Sequence, residues 1–166
     1  INLPIKDINF AINDSLVRIG TYIGSDRSYI FDYDFALNTA TNTFEWCREG
    51  ISPQIMNMQQ MPLESFEEWY VLHKEGKILS IDNSELIPDS PLKKLLLDQD
   101  VKSLQTIPLI SEGKCIGFVG FDWVTEKHTN SLLEQQLLQV YAQTLVNVKE
   151  RQQKELQLIG AKEKAE

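Results

Sequence analysis

The stretch Ser103–Asp122 limits the folds open to this chain more than any other. Two apolar runs, S-L-Q-T-I-P-L-I and K-C-I-G-F-V-G-F-D, flank the polar loop S-E-G. This pattern predicts a β-hairpin whose Gly113 takes the left-handed conformation without steric cost. Neither run has a polar face, and strands that are apolar on both faces are covered on both faces. We therefore expect the hairpin at the centre of a sheet with helices packed around it.

Within this hairpin, Pro108 is the exception, because proline cannot donate to a β-ladder and favours an edge or a bulge. Successive side chains of a strand point to opposite faces. Strict alternation along the second strand therefore predicts two sets, one on each face: Cys115, Val119 and Phe121 against Ile116 and Phe118.

The charge and hydropathy of the chain exclude several kinds of partner. Its 166 residues carry a formal net charge of −8 at pH 7. An acidic surface repels phosphate backbones, so nucleic acid is not expected as a partner. No apolar run approaches the ~20 residues of a membrane span, and no signal-peptide pattern begins the sequence. We expect no direct membrane insertion and a cytoplasmic location, within a parent protein that could itself be attached to a membrane.

The segments before the hairpin show alternating helix and strand patterns. Apolar residues at steps of three and four predict a helix over Ile5–Ile19, with Pro4 in its first turn. Strict alternation over Arg27–Asp34 predicts a strand that pairs with a second strand in the run T-N-T-F-E-W-C-R. After an irregular methionine-rich loop, the capping box S-F-E-E predicts a helix that begins near Ser65 and ends near His73.

The remaining segments complete the expected order of elements. Lys77–Asp82 predicts a short strand, and Ser90 followed by proline predicts the start of another helix. A second capping box begins at Ser131, and from there to Glu166 the sequence has one glycine and no proline. This predicts a helix about 50 Å long at ~1.5 Å per residue. Its second half fits a weak coiled coil and a solvated tail equally well. The order predicts an α+β fold with the terminal helices side by side.

Several segments, in this order and spacing, resemble the GAF domain. They are D-R-S-Y-I-F, F-E-W-C-R-E-G-I-S-P-Q, K-S-L-Q-T-I-P-L-I and G-F-V-G-F-D. The similarity runs from about Leu3 to Val148 and is to the variant found in bacterial sensor histidine kinases. The tail L-I-G-A-K-E-K-A-E resembles the linker that precedes the dimerising helix of such kinases.

This resemblance implies an architecture and a set of partners. The expected fold is a central antiparallel sheet flanked by helices on both faces, with a long C-terminal helix. The expected division is a GAF sensory domain over residues 1–148 and a helical signalling linker over residues 149–166. Members often dimerise through their terminal helices, so we expect a homodimer and a kinase transmitter domain in cis. Some members bind a small molecule between the sheet and its covering loops.

Two groups of residues are candidates for a binding site. An aromatic set suits a flat ligand, although aromatic residues at strand or helix spacing also commonly form the core. Asp26, Arg27 and Glu45 form a polar cluster that either recognises an anion or amide or is a structural salt bridge between the first two strands. The aromatic candidates for the pocket are Tyr29, Phe31, Trp46, Trp69 and Phe118.

Other chemistry has little support in the sequence. Cys47 and Cys115 form no C-x-x-C motif, which predicts two free thiols in a reducing compartment. His73 and His128 have no partner spaced for a metal, so neither a metal nor a cofactor is expected. No catalytic arrangement is evident, and we expect no enzymatic activity from this fragment.

The sequence therefore favours a regulatory GAF domain of a two-component sensor histidine kinase. It would relay a small-molecule or partner signal through its C-terminal helix. Two alternatives stay open at this point. One is a ligand-free dimerisation or spacer module. The other is a chromophore or redox protein that uses Cys47 or Cys115, although bilin-binding members commonly place a histidine after the cysteine and here Arg48 and Ile116 follow.

Overall fold

The computed structural model describes residues 5–165, and Pro4, expected in the first helical turn, lies outside them. Six strands form one antiparallel sheet in the order β3-β2-β1-β6-β5-β4. The hairpin β5–β6 lies inside this sheet, as predicted. The elements in chain order are α1 (Ile5–Ile23), β1 (Arg27–Asp34), β2 (Thr39–Cys47), β3 (Met61–Pro62), α2 (Glu67–His73), β4 (Leu79–Ile81), α3 (Pro91–Asp98), β5 (Ser103–Ser111), β6 (Lys114–Trp123) and α4 (Leu132–Ala165).

Helices cover both faces of the sheet, which confirms the prediction made from its apolar strands. On the α1/α4 face, Ile30, Ile107 and Phe121 of the strands belong to one buried cluster with Leu16 of α1 and Leu138 of α4. A second buried cluster lies on the α2/α3 face. It joins strand residues to the two shorter helices and includes Phe31, Phe118, Trp69, Leu92 and Leu96.

A β-bulge in the hairpin changes the faces that its second strand presents. Leu109 pairs with Gly117 and Ile110 with Cys115, so Ile116 is an extra residue in β6. The strict alternation predicted from the sequence was therefore wrong, because a bulge shifts the side-chain order by one residue. Cys115 packs in the α2/α3 cluster with Phe118, whereas Ile116 packs against the α1/α4 cluster.

The hairpin turn and Pro108 have simple local explanations. The turn is Glu112–Gly113, and both residues have positive φ, at 50° and 78°. This is the conformation that favours a tight two-residue hairpin, with glycine at the second position. Pro108 lies beyond the β4 pairing, which involves only Leu104 to Thr106 of β5. Its missing N–H therefore costs no hydrogen bond to β4.

The helix caps follow the sequence only in part. Ser90 caps α3 by accepting a hydrogen bond from the backbone N–H of Lys93 at 3.1 Å, and Ser131 accepts one from Glu134 at 3.1 Å. The box predicted at Ser65 does not form, because this residue lies in a short 3-10 turn and α2 begins two residues later, at Glu67. The 3-10 turn over Leu63–Phe66 leads directly into α2, so the local capping pattern does not determine where that helix begins.

The terminal helices pack side by side, as predicted, and they run antiparallel. Ser15 of α1 and Tyr141 of α4 share a hydrogen bond of 2.7 Å between their hydroxyl oxygens. Nearer the other end, Gln152 donates to Asn9 at 3.4 Å. Helix α4 is continuous over 34 residues. Among residues 5–165, no helix combines the length and apolar character needed to cross a membrane.

A substitution at Gly117 can test how closely β1 and β6 approach each other. A Cβ at this position would clash with the carbonyl oxygen of Phe31 on β1. We expect Gly117→Ala to lower the free energy of unfolding by about 2–3 kcal/mol, measured by urea denaturation. Gly160→Ala is the matched control, because a Cβ there meets nothing within 4 Å. Equal stability of the two variants would contradict the close packing of β1 against β6 at Gly117.

Candidate ligand-binding site

A small cavity lies on the α2/α3 face, beneath the segment that joins β2 to β3. We call this segment, residues 48–60, the covering segment. The sheet supplies six residues to the cavity, and its remaining walls come from α2, the end of α3 and the covering segment. The six sheet residues are Arg27, Tyr29, Phe31, Asn42, Glu45 and Asp122. The cavity volume is about 20 Å³, which is enough for about one water molecule. A larger ligand would therefore need the covering segment to move.

Arg27 is the central polar group of this cavity. Its guanidinium donates to the Asp122 carboxylate at 3.1 Å, and the two side chains are only 3% and 4% exposed. It also donates to the carbonyl oxygen of Ser52 at 3.0 Å and to that of Gln99 at 3.1 Å. One side chain thus connects β1 and β6 with the covering segment and the end of α3.

Asp122 is held by two donors in a buried environment. Tyr29 donates its hydroxyl hydrogen to Asp122 at 2.7 Å, beside the bond from Arg27. Burial raises the pKa of Asp122 to about 6, and the bonds from Tyr29 and Arg27 limit the rise. Burial also raises the pKa of Tyr29 well above its usual value. Asp122 is therefore ionised at neutral pH and balances the charge of Arg27.

Glu45 fastens the covering segment from the other side. Its carboxylate accepts hydrogen bonds from the backbone N–H groups of Gln54 at 3.0 and 3.1 Å and of Ile55 at 3.2 Å. These N–H groups lie at the start of a short 3-10 turn, where backbone donors lack partners within the turn. Together with the Arg27–Ser52 bond, Glu45 keeps the covering segment closed over the cavity.

Comparison with known proteins assigns the chain to a family. The family model described as GAF domain matches residues 8–148, most of the chain. The chain belongs to the GAF domain family. It is 27% identical over 161 residues to the methanogenesis regulatory histidine kinase FilI of Methanothrix harundinacea (strain 6Ac). This match covers 94% of the chain but 18% of that kinase, so the chain spans less than a fifth of its relative's length.

Solved GAF structures share the fold at low sequence identity. The blue-light absorbing form of the Thermosynechococcus elongatus PixJ GAF domain has a TM-score of 0.78 and 17% identity, covering 95% of this chain and 93% of that one. A domain attributed to a two-component sensor histidine kinase of Sinorhizobium meliloti 1021 has a TM-score of 0.70 and 19% identity, covering 93% and 97%. These likenesses confirm the predicted GAF-like fold.

The predicted aromatic residues occupy different places in this GAF domain. Tyr29, Phe31 and Trp69 line the cavity. Phe118 is fully buried beside it and stacks on Phe31, with ring centroids 4.8 Å apart and planes 7° apart. Trp46 lies on the opposite face, where it packs against the α1/α4 cluster. The structure therefore brings four of the five aromatic candidates together and separates Trp46 from them.

The predicted polar cluster also divides into two parts. Arg27 and Glu45 line the cavity, whereas Asp26 faces the loop after β6. Asp26 forms an ion pair with Arg48, and its other oxygen accepts the N–H groups of Val124 and Thr125 at 2.6 and 2.9 Å. Asp26 thus ties the start of β1 to the ends of β2 and β6. Its ion-pair partner, Arg48, lies outside the cluster of Asp26, Arg27 and Glu45 predicted from the sequence.

Sequence reasoning missed several polar and apolar residues of the cavity. Asp122 ends the conspicuous hairpin, and its pairing opposite Arg27 in β1 is the signal that would have found it. Asn42, Met58 and Gln99 also line the cavity but belong to no recognisable motif. The indole N–H of Trp69, another lining residue, is buried without a hydrogen-bond partner. This leaves one donor available to a bound water or ligand.

A buried histidine stabilises the same face of the GAF domain. His73 is fully buried, with Nδ1 3.0 Å from the Tyr33 hydroxyl and Nε2 2.8 Å from the Thr106 hydroxyl. Burial lowers the pKa of His73 to about 3, so its imidazole is neutral at neutral pH. Within residues 5–165, no group of three or more His, Cys, Asp or Glu residues is arranged to hold a metal ion.

Neither thiol is activated for chemistry. Burial raises the pKa of Cys47 to about 12 and also raises that of Cys115. The Cys115 thiol donates to the carbonyl oxygen of Gly117 at 3.1 Å. Because the thiolate is the reactive form, both cysteines are weak nucleophiles at neutral pH.

The depressed pKa of His73 predicts a loss of stability in acid. Below about pH 6.5 the unfolded chain protonates this histidine and the folded chain does not. Its contribution to stability is therefore complete above that pH and falls by about 2.5 kcal/mol between pH 6 and pH 4. We expect His73→Gln to show a correspondingly shallower decline in the free energy of unfolding, measured by urea titration at each pH.

His128→Gln is the control for loss of an imidazole. This residue is partly exposed and pairs with Glu134 at 2.9 Å, and the variant retains His73. It should therefore keep the steeper wild-type decline. Parallel pH profiles for His73→Gln and the wild type would show that His73 is not the group responsible.

Proposed function

We propose that this GAF domain is a sensory module of a two-component sensor histidine kinase, and that it relays occupancy of the Arg27 cavity through α4. The observation that carries the proposal is the position of the cavity on one face of the sheet and of α4 on the other face. The histidine kinase FilI, to which the chain is similar over 94% of its length, supports a transmitter domain in cis.

The ligand-binding role of the cavity follows from its lining. Tyr29, Phe31 and Trp69 supply an apolar wall, and Arg27 and Glu45 supply charges that a polar ligand would contact. Those charges now bind the backbone of the covering segment. A small molecule that replaced these bonds would open the segment. It would shift the equilibrium only by its differential affinity for the open and closed forms.

The relay role of α4 follows from its length and burial. Val146 is its last buried residue, and the helix continues to Ala165. We propose the division of the chain into a sensory domain over residues 1–148 and a signalling linker over residues 149–166 on this basis. A continuous helix transmits rotation or displacement because its backbone hydrogen bonds keep it stiff. A cytoplasmic location is part of the same proposal and agrees with two free cysteines.

A break in α4 tests the relay in the intact kinase. Glu45→Gln weakens the closure of the covering segment, and we expect it to change the autophosphorylation rate. We expect Gln153→Pro to abolish that change, because proline interrupts a helix at a cost of about 3 kcal/mol. Gln153→Ala is the matched control and should preserve it. A change of the same size with Gln153→Pro would contradict relay through α4.

A ligand-free spacer is the second candidate, and the cavity volume of about 20 Å³ favours it. A spacer should show neither a bound mass in native mass spectrometry nor stabilisation by any compound in a metabolite panel. In the intact kinase it should also leave autophosphorylation unaffected by Glu45→Gln. A chromophore or redox role has less support, because both thiols are held in their protonated form.

We also propose a homodimer formed through α1 and α4. Both helices carry large apolar side chains on the side turned away from the sheet. Phe10 is 73% exposed, and Val17 lies two turns further along α1. Leu133 and Val140 of α4 are 76% and 66% exposed. Exposed apolar side chains on two adjacent helices are typical of an association surface.

A charge placed among these exposed side chains tests the dimer. We expect Val140→Glu to shift the chain from dimer to monomer in analytical ultracentrifugation, because association would bury an unpaired carboxylate. Leu86→Glu is the control, since Leu86 is 81% exposed but lies near α3. A dimer that tolerates Val140→Glu as well as Leu86→Glu must use another surface.

A further inference from the structure

Helix α4 is fastened to two strands at the point where it leaves the domain. Lys149 forms an ion pair with Asp32 of β1, with Nζ 2.7 Å from Oδ1. Ser111, the last residue of β5, donates to the Glu150 carboxylate at 2.7 Å. These contacts come directly after the last buried residues of α4. We call the two pairs, Lys149–Asp32 and Glu150–Ser111, the exit clamp.

Asp32 of the exit clamp directly follows a cavity-lining residue in the sequence. Phe31 lines the cavity on the α2/α3 face, and Asp32, the next residue, binds α4. Successive residues of a strand point to opposite faces, so the single step from Phe31 to Asp32 crosses the sheet. Strand β1 pairs with β2 from Arg27 to Asp34 and with β6 from Arg27 to Asp32, so Phe31 and Asp32 have a neighbouring strand on each side. Because both neighbours restrain it, a displacement of Phe31 carries Asp32 with it.

We propose that the exit clamp couples the cavity to α4, with Asp32 and Lys149 as positioning residues that set how firmly the helix is held at its exit. This rests on the proposed function and specifies how that site is regulated. The ion pair is suited to switching because Asp32 is 43% exposed and Lys149 is 16% exposed. A partly exposed pair changes a local equilibrium by only about two- to five-fold. The Lys149–Asp32 pair therefore stabilises the docked position of α4 but still allows the helix to detach.

Hydrogen exchange in the 166-residue chain tests the clamp without any ligand. We expect Lys149→Met to raise the exchange of backbone amides in residues 147–156 by about two- to five-fold. Lys93→Met is the matched control, because Lys93 of α3 is 19% exposed and pairs with Asp89, which precedes α3. High salt should narrow the difference between wild type and Lys149→Met, because salt screens a partly exposed pair.

A double-mutant comparison then tests the coupling itself. Phe31→Leu alters the cavity and should change the exchange of residues 147–156 in the wild-type background. The change should shrink in the Lys149→Met background, because the connection is already broken. Should Phe31→Leu not fold, Trp69→Phe alters the same cavity from α2 and removes an indole N–H that has no partner. Equal changes in both backgrounds, or equal exchange in Lys149→Met and Lys93→Met, would overturn the proposal.

These results separate the clamp from the function on which it rests. Non-additive exchange in the isolated chain, together with a kinase that ignores Glu45→Gln, would retain the clamp and reject the sensory role. Additive exchange, together with a kinase that responds to Glu45→Gln only while α4 is continuous, would retain the sensory role and reject the clamp.

Discussion

One buried ion pair, between Arg27 and Asp122, holds together the parts of the structure that surround the cavity. Arg27 begins β1 and Asp122 lies near the end of β6, so the pair fixes the register of the two central strands. The same guanidinium holds Ser52 and Gln99. Removing either charged partner would leave the other buried and unpaired, at a cost of about 3–5 kcal/mol. The sheet, the cavity and the covering segment therefore depend on one another.

Much of the fold could be predicted because local patterns and tertiary structure agree. The alternation over Arg27–Asp34 and the two-sided hairpin are direct consequences of which faces are buried. The errors arose where another constraint prevailed. The bulge at Ile116 depends on how β6 meets β5, and the start of α2 depends on the turn that precedes it. Neither constraint is visible in the alternation of apolar residues or in a capping motif alone.

The sequence predicted several of the strand residues that line the cavity, but few of the lining residues that come from the helices and the covering segment. Arg27, Tyr29 and Phe31 follow from one alternating strand. Trp46 was grouped with them by residue type. In β2, however, Glu45 faces the cavity, and Trp46, the next residue, faces the opposite side of the sheet. The covering segment contacts Arg27 and Glu45 through backbone groups, which have no sequence signature. Residue type therefore identified good candidates, and strand register decided which of them meet.

The antiparallel packing of the two terminal helices has a consequence for how such a module fits into a longer chain. Asn9, near the start of α1, lies beside Gln152, near the point where α4 departs. The polypeptide thus enters and leaves at one pole, with its two connections about one helix diameter apart. Adding or deleting the module would hardly change the separation of the segments it joins. A chain of consecutive helical segments could therefore gain or exchange a domain of this kind without a change in the spacing of those segments.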